Sequence, residues 1–211
     1  HWWHLKQNRG FSLPWPTFMA LSGSGTWLGV VTPGGAVHII DPTTGKDAVN
    51  PPQPLSDSPV QLIDFVNRCP ELLILDKEGV LGHYDLTESV QKGTVAVGRD
   101  VLAINVPVDR IWGITGGSTA ALRLPEGDRC TILWIDLHQG EVIGEVRDLP
   151  GNADVDDENS RILIPARAGG LLELSREGKE LRVLRDLPDQ EWISFGENGI
   201  MGASKQATSV I

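Results

Sequence analysis

The chain has 211 residues, 18 Lys and Arg against 28 Asp and Glu, and a formal net charge of −10. That length can bury a real hydrophobic core in one domain, while the acidic balance and the single scattering of its Lys and Arg exclude a nucleic-acid partner. With 24 Gly and 14 Pro, the composition belongs to a chain of many turns rather than of long helices.

In chain order, the first segment is "HWWHLKQNRGFSLPW" (1–15). It holds no complete strand pair, and Trp2, Trp3 and Trp15 cluster in it. Those rings either pack against a neighbouring element or form an aromatic patch for a partner. Next, "TWLGVVTPGGAVHIID" (26–41) reads as two strands around a Gly-containing turn, ending at Asp41 with Gly45 four residues later. "VQLIDFV" (60–66) is a further strand, and "ELLILDKEGVLGHYD" (71–85) repeats the two-strand outline, ending at Asp85. "DRIWGITGGSTAALRLPEGDRCTILWID" (109–136) ends at Asp136, with Gly140 four residues on. It carries extra residues around "TAALRLPEGD", read as a longer hairpin loop. "SRILIPARAGGLLELS" (160–175) ends at Ser175, with Gly178 three residues on, and "LRVLRDL" (181–187) follows it. The last segment, "QEWISFGENGIMGASKQATSVI" (190–211), starts one more unit. Throughout, short β-branched and apolar runs are bounded by Gly, Pro, Asp and Asn, and no amphipathic helical period runs for three turns.

The anchors at 41, 85, 136 and 175 recur every 39 to 51 residues, the period of a four-stranded propeller blade. In "GAVHIIDPTTGK", "GVLGHYDL", "TILWIDLHQGEV" and "GGLLELSREGKE" the chain resembles β-propeller repeats of the WD40 and quinoprotein-like type. The Trp-Asp pair that names the WD40 group is absent; "LWID" has its Trp two positions before the Asp. A looser similarity is to bacterial propellers encoded beside MoxR-type ATPases and von Willebrand A proteins. The resemblance implies an all-β propeller of about five four-stranded blades in a single domain over 1–211. The blades fall near 17–56, 57–99, 100–149, 150–188 and 189–211, the last closed by 1–16. The other arrangement left open is a piece of a six- to eight-bladed ring.

No motif for chemistry stands out. "GGAVHIIDPTTGK" lacks the P-loop pattern, since Gly45-Lys46 is followed by Asp47 and no helix is expected. The acidic run "ADVDDENS" (153–160) lacks the Gly and Glu positions of a calcium loop and reads as a solvated turn. His38 and His83 precede their anchors by three and two residues, which puts them on opposite sides. Asp64, Asp76, Asp109, Asp136, Asp154 and Asp156 supply carboxylates without a distinguishing motif, and neither GxSxG nor HExxH occurs. Cys69 and Cys130 fit no zinc spacing and read as two thiols. No catalytic residue, metal ligand or cofactor is therefore assigned. Trp27, Trp112, Trp134 and Trp192 read as core or inter-blade packing. No stretch is long and apolar enough to insert into a membrane, no signal peptide is visible, and a cytoplasmic location is expected.

The expected function is a non-catalytic protein–protein interaction scaffold within a larger bacterial assembly. Partner contacts are expected at Trp2, Trp3 and Trp15 and, in the irregular third unit, at Arg123 and Glu126. The alternative is a glycan-binding or glycoside-cleaving five-bladed propeller, with a small molecule or glycan as ligand.

Overall fold

The computed structural model describes residues 16–49, 52, 57–67, 69–87, 98–104, 106–166, 169–186, 192–197 and 199–204. The proposed closing segment 1–16, apart from residue 16, lies outside the described residues, as do Trp2, Trp3 and Trp15.

The described chain is built from four antiparallel sheets in which sequence neighbours pair. The first holds β1 (Phe18–Leu21), β2 (Leu28–Val31) and β3 (Val37–Ile40). The second holds β4 (Val60–Phe65), β5 (Glu71–Asp76), β6 (Val80–Asp85) and β7 (Arg99–Ala103). β8 (Arg110–Gly113), β9 (Thr119–Glu126), β10 (Arg129–Asp136) and β11 (Glu141–Pro150) make the third. The fourth runs through β12 (Asp154–Asp156), β13 (Arg161–Pro165), β14 (Leu171–Leu174), β15 (Glu180–Asp186), β16 (Trp192–Gly196) and β17 (Gly199–Ala203). No helix among the described residues is long and apolar enough to cross a membrane.

Strand alternation explains how the sheets stack. Successive side chains point to opposite faces. Phe18, Ala20, Val31, Val37 and Ile39 of the first sheet meet Ile63, Phe65, Leu72 and Ile74 of the second. The other face of the second sheet, with Leu62, Leu73, Leu75 and Leu81, meets Ile111, Ala120, Leu122 and Ile135 of the third. The far face of the third sheet, with Ala121, Cys130, Ile132 and Trp134, meets Val155, Ile162, Ile164 and Leu174 of the fourth. The two middle sheets are thus buried on both faces, which is why "ELLILD" and "TILWID" read as nearly unbroken apolar runs.

The repeat anchors cap turns. Asp41, Asp85 and Asp136 accept the amide protons of Thr43 (2.7 Å), Thr87 (2.8 Å) and His138 (2.8 Å), and Ser175 accepts that of Glu177 (3.2 Å). The later glycines Gly45, Gly140 and Gly178 have φ of 68°, 67° and 80°, the left-handed region that glycine enters without a Cβ clash.

The structure departs from the sequence reading at three places. "TAALRLPE" is not loop: it is the eight-residue strand β9, in full register with β10 from Glu126↔Arg129 to Thr119↔Asp136. The extra residues lengthen a hairpin because Ala121, Leu122 and their partners Trp134 and Leu133 continue the apolar faces. β7 crosses the expected boundary at 99/100, pairing with β6 through Val80↔Ala103 and Leu81↔Leu102. The last hairpin does not start a separate sheet among the described residues; β16 pairs with β15 from Arg182↔Gly196 to Asp186↔Trp192.

Candidate functional site

The second, third and fourth sheets meet at a polar point inside an otherwise apolar stack. Along β4 the alternation sends Leu62 and Val66 to the third sheet, and Asp64, between them, goes the same way. Its Oδ2 accepts the Gly113 amide proton at 3.0 Å. The third sheet can approach this closely because position 113 is glycine: a Cβ there would lie 2.6 Å from the Val66 Cα. Val66 and Gly113 form a parallel bridge, and the Asn67 amide reaches the Gly113 carbonyl at 3.3 Å. The fourth sheet contributes Asp157, from the turn between β12 and β13. Its carbonyl accepts the Thr115 amide proton at 2.9 Å, and its carboxylate is hydrogen-bonded to the Asn67 side chain.

Burial pushes the Asp64 carboxyl up to about 7, against the downward pull of the Gly113 and Phe65 amides; the Asp157 charge adds to the rise. Asp157 is also raised, first by burial and then by the neighbouring Asp156 charge, with the Asn67 bond opposing. On the same face of the second sheet, Glu71 Oε2 contacts His83 Nε2 at 3.1 Å. Of these groups, Asp64 can hold and release a proton near neutrality. Sequence reasoning named Asp64 among six carboxylates and missed Asp157. The signal for Asp64 was a lone acid within the apolar run "VQLIDFV".

At the other end of β4 lies a cavity of about 360 Å³. Leu75, Ile104, Val106 and Val108 give it apolar walls, and Lys77 and Glu78 stand on its rim. Gln61 Nε2 donates to the Val108 carbonyl at 3.0 Å, fixing the crossover between β7 and β8 against β4. Val106 is 47% exposed. Among the described residues, the Lys77 and Glu78 side chains have no hydrogen-bond or ion-pair partner, so both charges face solvent at an apolar pocket.

Arg123 forks onto Asp109, with Nε to Oδ1 at 2.8 Å and Nη2 to Oδ2 at 3.0 Å, while Nη1 donates to the Ala153 carbonyl at 2.9 Å. It therefore ties β9 to the start of the fourth sheet, and the Arg110–Asp154 pair at 3.0 Å lies beside it. Glu126 accepts the Thr131 hydroxyl proton at 3.0 Å within its own hairpin. The structure brings Arg123 and Glu126 to one hairpin, each already engaged. His38 lies 3.4 Å from Asp47 and faces away from the second sheet, whereas His83 faces the third. Cys69 and Cys130 are free thiols. Trp134 is fully buried, Trp27 and Trp112 are half-buried against the core, and Trp192 is 41% exposed instead of packed inside.

No family model and no curated protein matches the chain. Among solved structures it is similar to the β-propeller domain of Myceliophteria thermophila Cps50 (Swd1), with a TM-score of 0.56 and 12% identity, covering 88% of this chain and 71% of that one. Together with the four stacked antiparallel sheets, this likeness establishes the fold as a β-propeller.

Proposed function

We propose that this chain is a non-catalytic protein–protein interaction scaffold, a subunit or domain of a larger bacterial assembly. The observation that carries the reading is the cavity between the β5–β6 turn and the β7–β8 crossover. Its apolar walls, the exposed Val106 and the two rim charges, Lys77 and Glu78, which have no partner among the described residues, are the parts of an anchor pocket: a buried apolar contact ringed by polar selection. A propeller presents such turns at its ends without needing any one of them for stability. Arg123 and Glu126 serve by stiffening the third hairpin, and Trp2, Trp3 and Trp15 are kept as proposed contacts on composition.

A photo-crosslinking amino acid at Val106, in cells that make the protein, tests this. One discrete crosslinked protein is expected, lost when Lys77→Glu and Glu78→Lys are combined. Labelling no stronger than from a probe at the equally exposed Val142 would count against the scaffold.

The second reading, a glycan-binding or glycoside-cleaving propeller, is favoured by one observation: Asp64 and Asp157 are neighbouring carboxyl groups, and Asp64 keeps its proton to near neutrality. Release of an aryl leaving group from a glycoside panel, abolished by Asp64→Asn, would select it over the first.

A further inference from the structure

We propose that Asp64 and Asp157 form a proton-dependent clasp joining the second, third and fourth sheets, firm when Asp64 is protonated and loosened when it ionises. This goes beyond the scaffold reading and does not rest on it.

The geometry is a chain of short links through three sheets. Asp64 of β4 holds the Gly113 amide at 3.0 Å. Thr115, two residues on, donates its amide proton to the Asp157 carbonyl at 2.9 Å. Asn67, three residues after Asp64, binds the Asp157 carboxylate with its side chain and the Gly113 carbonyl with its amide. Each sheet is held to the other two, and both acids sit in the loop of contacts.

Among the described residues, no cation is paired with Asp64. Asp64 is the sole ionisable residue of β4, and β1 and β2, which pack on β4, have none. On β5, Glu71 faces the third sheet and contacts His83 of β6, while Asp76 lies at the far end and holds the Glu78 and Val80 amides. On β8, Arg110 is engaged by Asp154. The end of β12 and the turn after it add Asp156 and Glu158 beside Asp157, both of the same sign. The His83 imidazole on that face is already in contact with Glu71.

Ionising Asp64 places a second negative charge beside Asp157 in a site with reduced access to water; burial is the larger penalty on that charge, and the repulsion from Asp157 adds to it. Burial raises Asp64 to about 7, so between roughly pH 4 and 7 the folded state holds a proton that the unfolded state has released. The proton number is then greater in the folded state, and stability falls as pH rises through that window and levels off above it. The Gly113 amide bond itself favours the ionised carboxylate, so the repulsion falls on the Asp157 side, at the links through Thr115 and Asn67.

Hydrogen exchange on the full chain tests the clasp. Protection of peptides spanning 110–118 and 152–161, corrected for the intrinsic pH dependence of exchange, should drop about tenfold or more between pH 5.5 and 8.5. In Asp64→Asn, which keeps an oxygen acceptor for Gly113, protection should be the same at both pH values. In Asp157→Asn the drop should persist with its midpoint moved to lower pH, because the repelling charge is gone. Protection independent of pH in the unaltered protein, or an unchanged drop in Asp64→Asn, overturns the clasp. If Asp64→Asn does not fold, carboxyl-carbon NMR of the unaltered protein decides: a midpoint for Asp64 near 7 supports the clasp, and one below 5 overturns it.

Discussion

Gly140 has φ of 67° and donates its amide to the Asp136 carbonyl at 2.9 Å, while the Asp136 carboxylate accepts the His138 and Gln139 amides at 2.8 and 2.9 Å. Those amide bonds hold Asp136 below the usual carboxylate range, and the Thr43 side chain and amide do the same for Asp41. The recurring Asp with a late Gly is thus a turn that satisfies its own backbone. It was legible because the chemistry is local: every partner lies within four residues. Replacing Gly140 with Ala should cost roughly 1–2 kcal/mol, because a Cβ strains the left-handed conformation, while Asn should cost less; urea unfolding of both variants checks this. Asp64 is the opposite case. Its bonding partner in the third sheet, Gly113, is 49 residues away, and nothing in "VQLIDFV" says whether its carboxyl meets water, a cation or a glycine amide.

At the scale of the element, the third sheet carries the most instructive departure. In sequence its long hairpin reads as inserted loop because this unit carries extra residues around "TAALRLPEGD" that the other repeats lack. The turn is confined to the residues after Glu126, Gly127 having φ of 69°, and β9 and β10 pair over eight residues each. What pins the hairpin is Trp134, fully buried at the face shared with the fourth sheet. Arg176, in the β14–β15 turn, sits 5.2 Å from its ring centroid, and Gly178 of that turn lies against Val146 of β11. The fourth sheet therefore grips the third with one turn. Trp134→Ala should destabilise by about 3–5 kcal/mol through the cavity it leaves. Trp134→Phe should lose much less: it keeps most of the ring and removes an indole N–H that has no partner among the described groups. Guanidinium unfolding of the pair checks this, and equal losses would mean that a phenyl ring recovers none of the packing that the indole supplies.

Over the whole molecule, stacking by alternation makes stability uneven. The period of the anchors revealed the stack, because each blade repeats the same local turn. The order of pairing at its end was not legible: the link from β15 to β16 uses the same antiparallel chemistry as any pair inside a sheet. The structure adds which sheets are central. Leu73 and Leu75 pack toward the third sheet, and Leu72 and Ile74 of the same strand toward the first. β10 is likewise covered on both faces, by Ile135 on one side and by Ile132 and Trp134 on the other. By contrast β1 leaves Met19 and Leu21 each 55% exposed, and the last hairpin leaves Trp192, Ile200 and Met201 at 41, 48 and 67%. In a stack where the apolar clusters join each sheet to its neighbours, opening an end breaks one such interface and opening the middle breaks two. At a pH below the Asp64 titration, amides of β5 and β10 should therefore exchange most slowly. Those of β1 and β17 should exchange at least tenfold faster, through openings that leave the centre closed. Native-state hydrogen exchange across a urea series distinguishes this from all-or-none unfolding. If β1 and β17 merge with β5 at the lowest urea concentrations, the stack opens as one body and burial on both faces confers no local advantage.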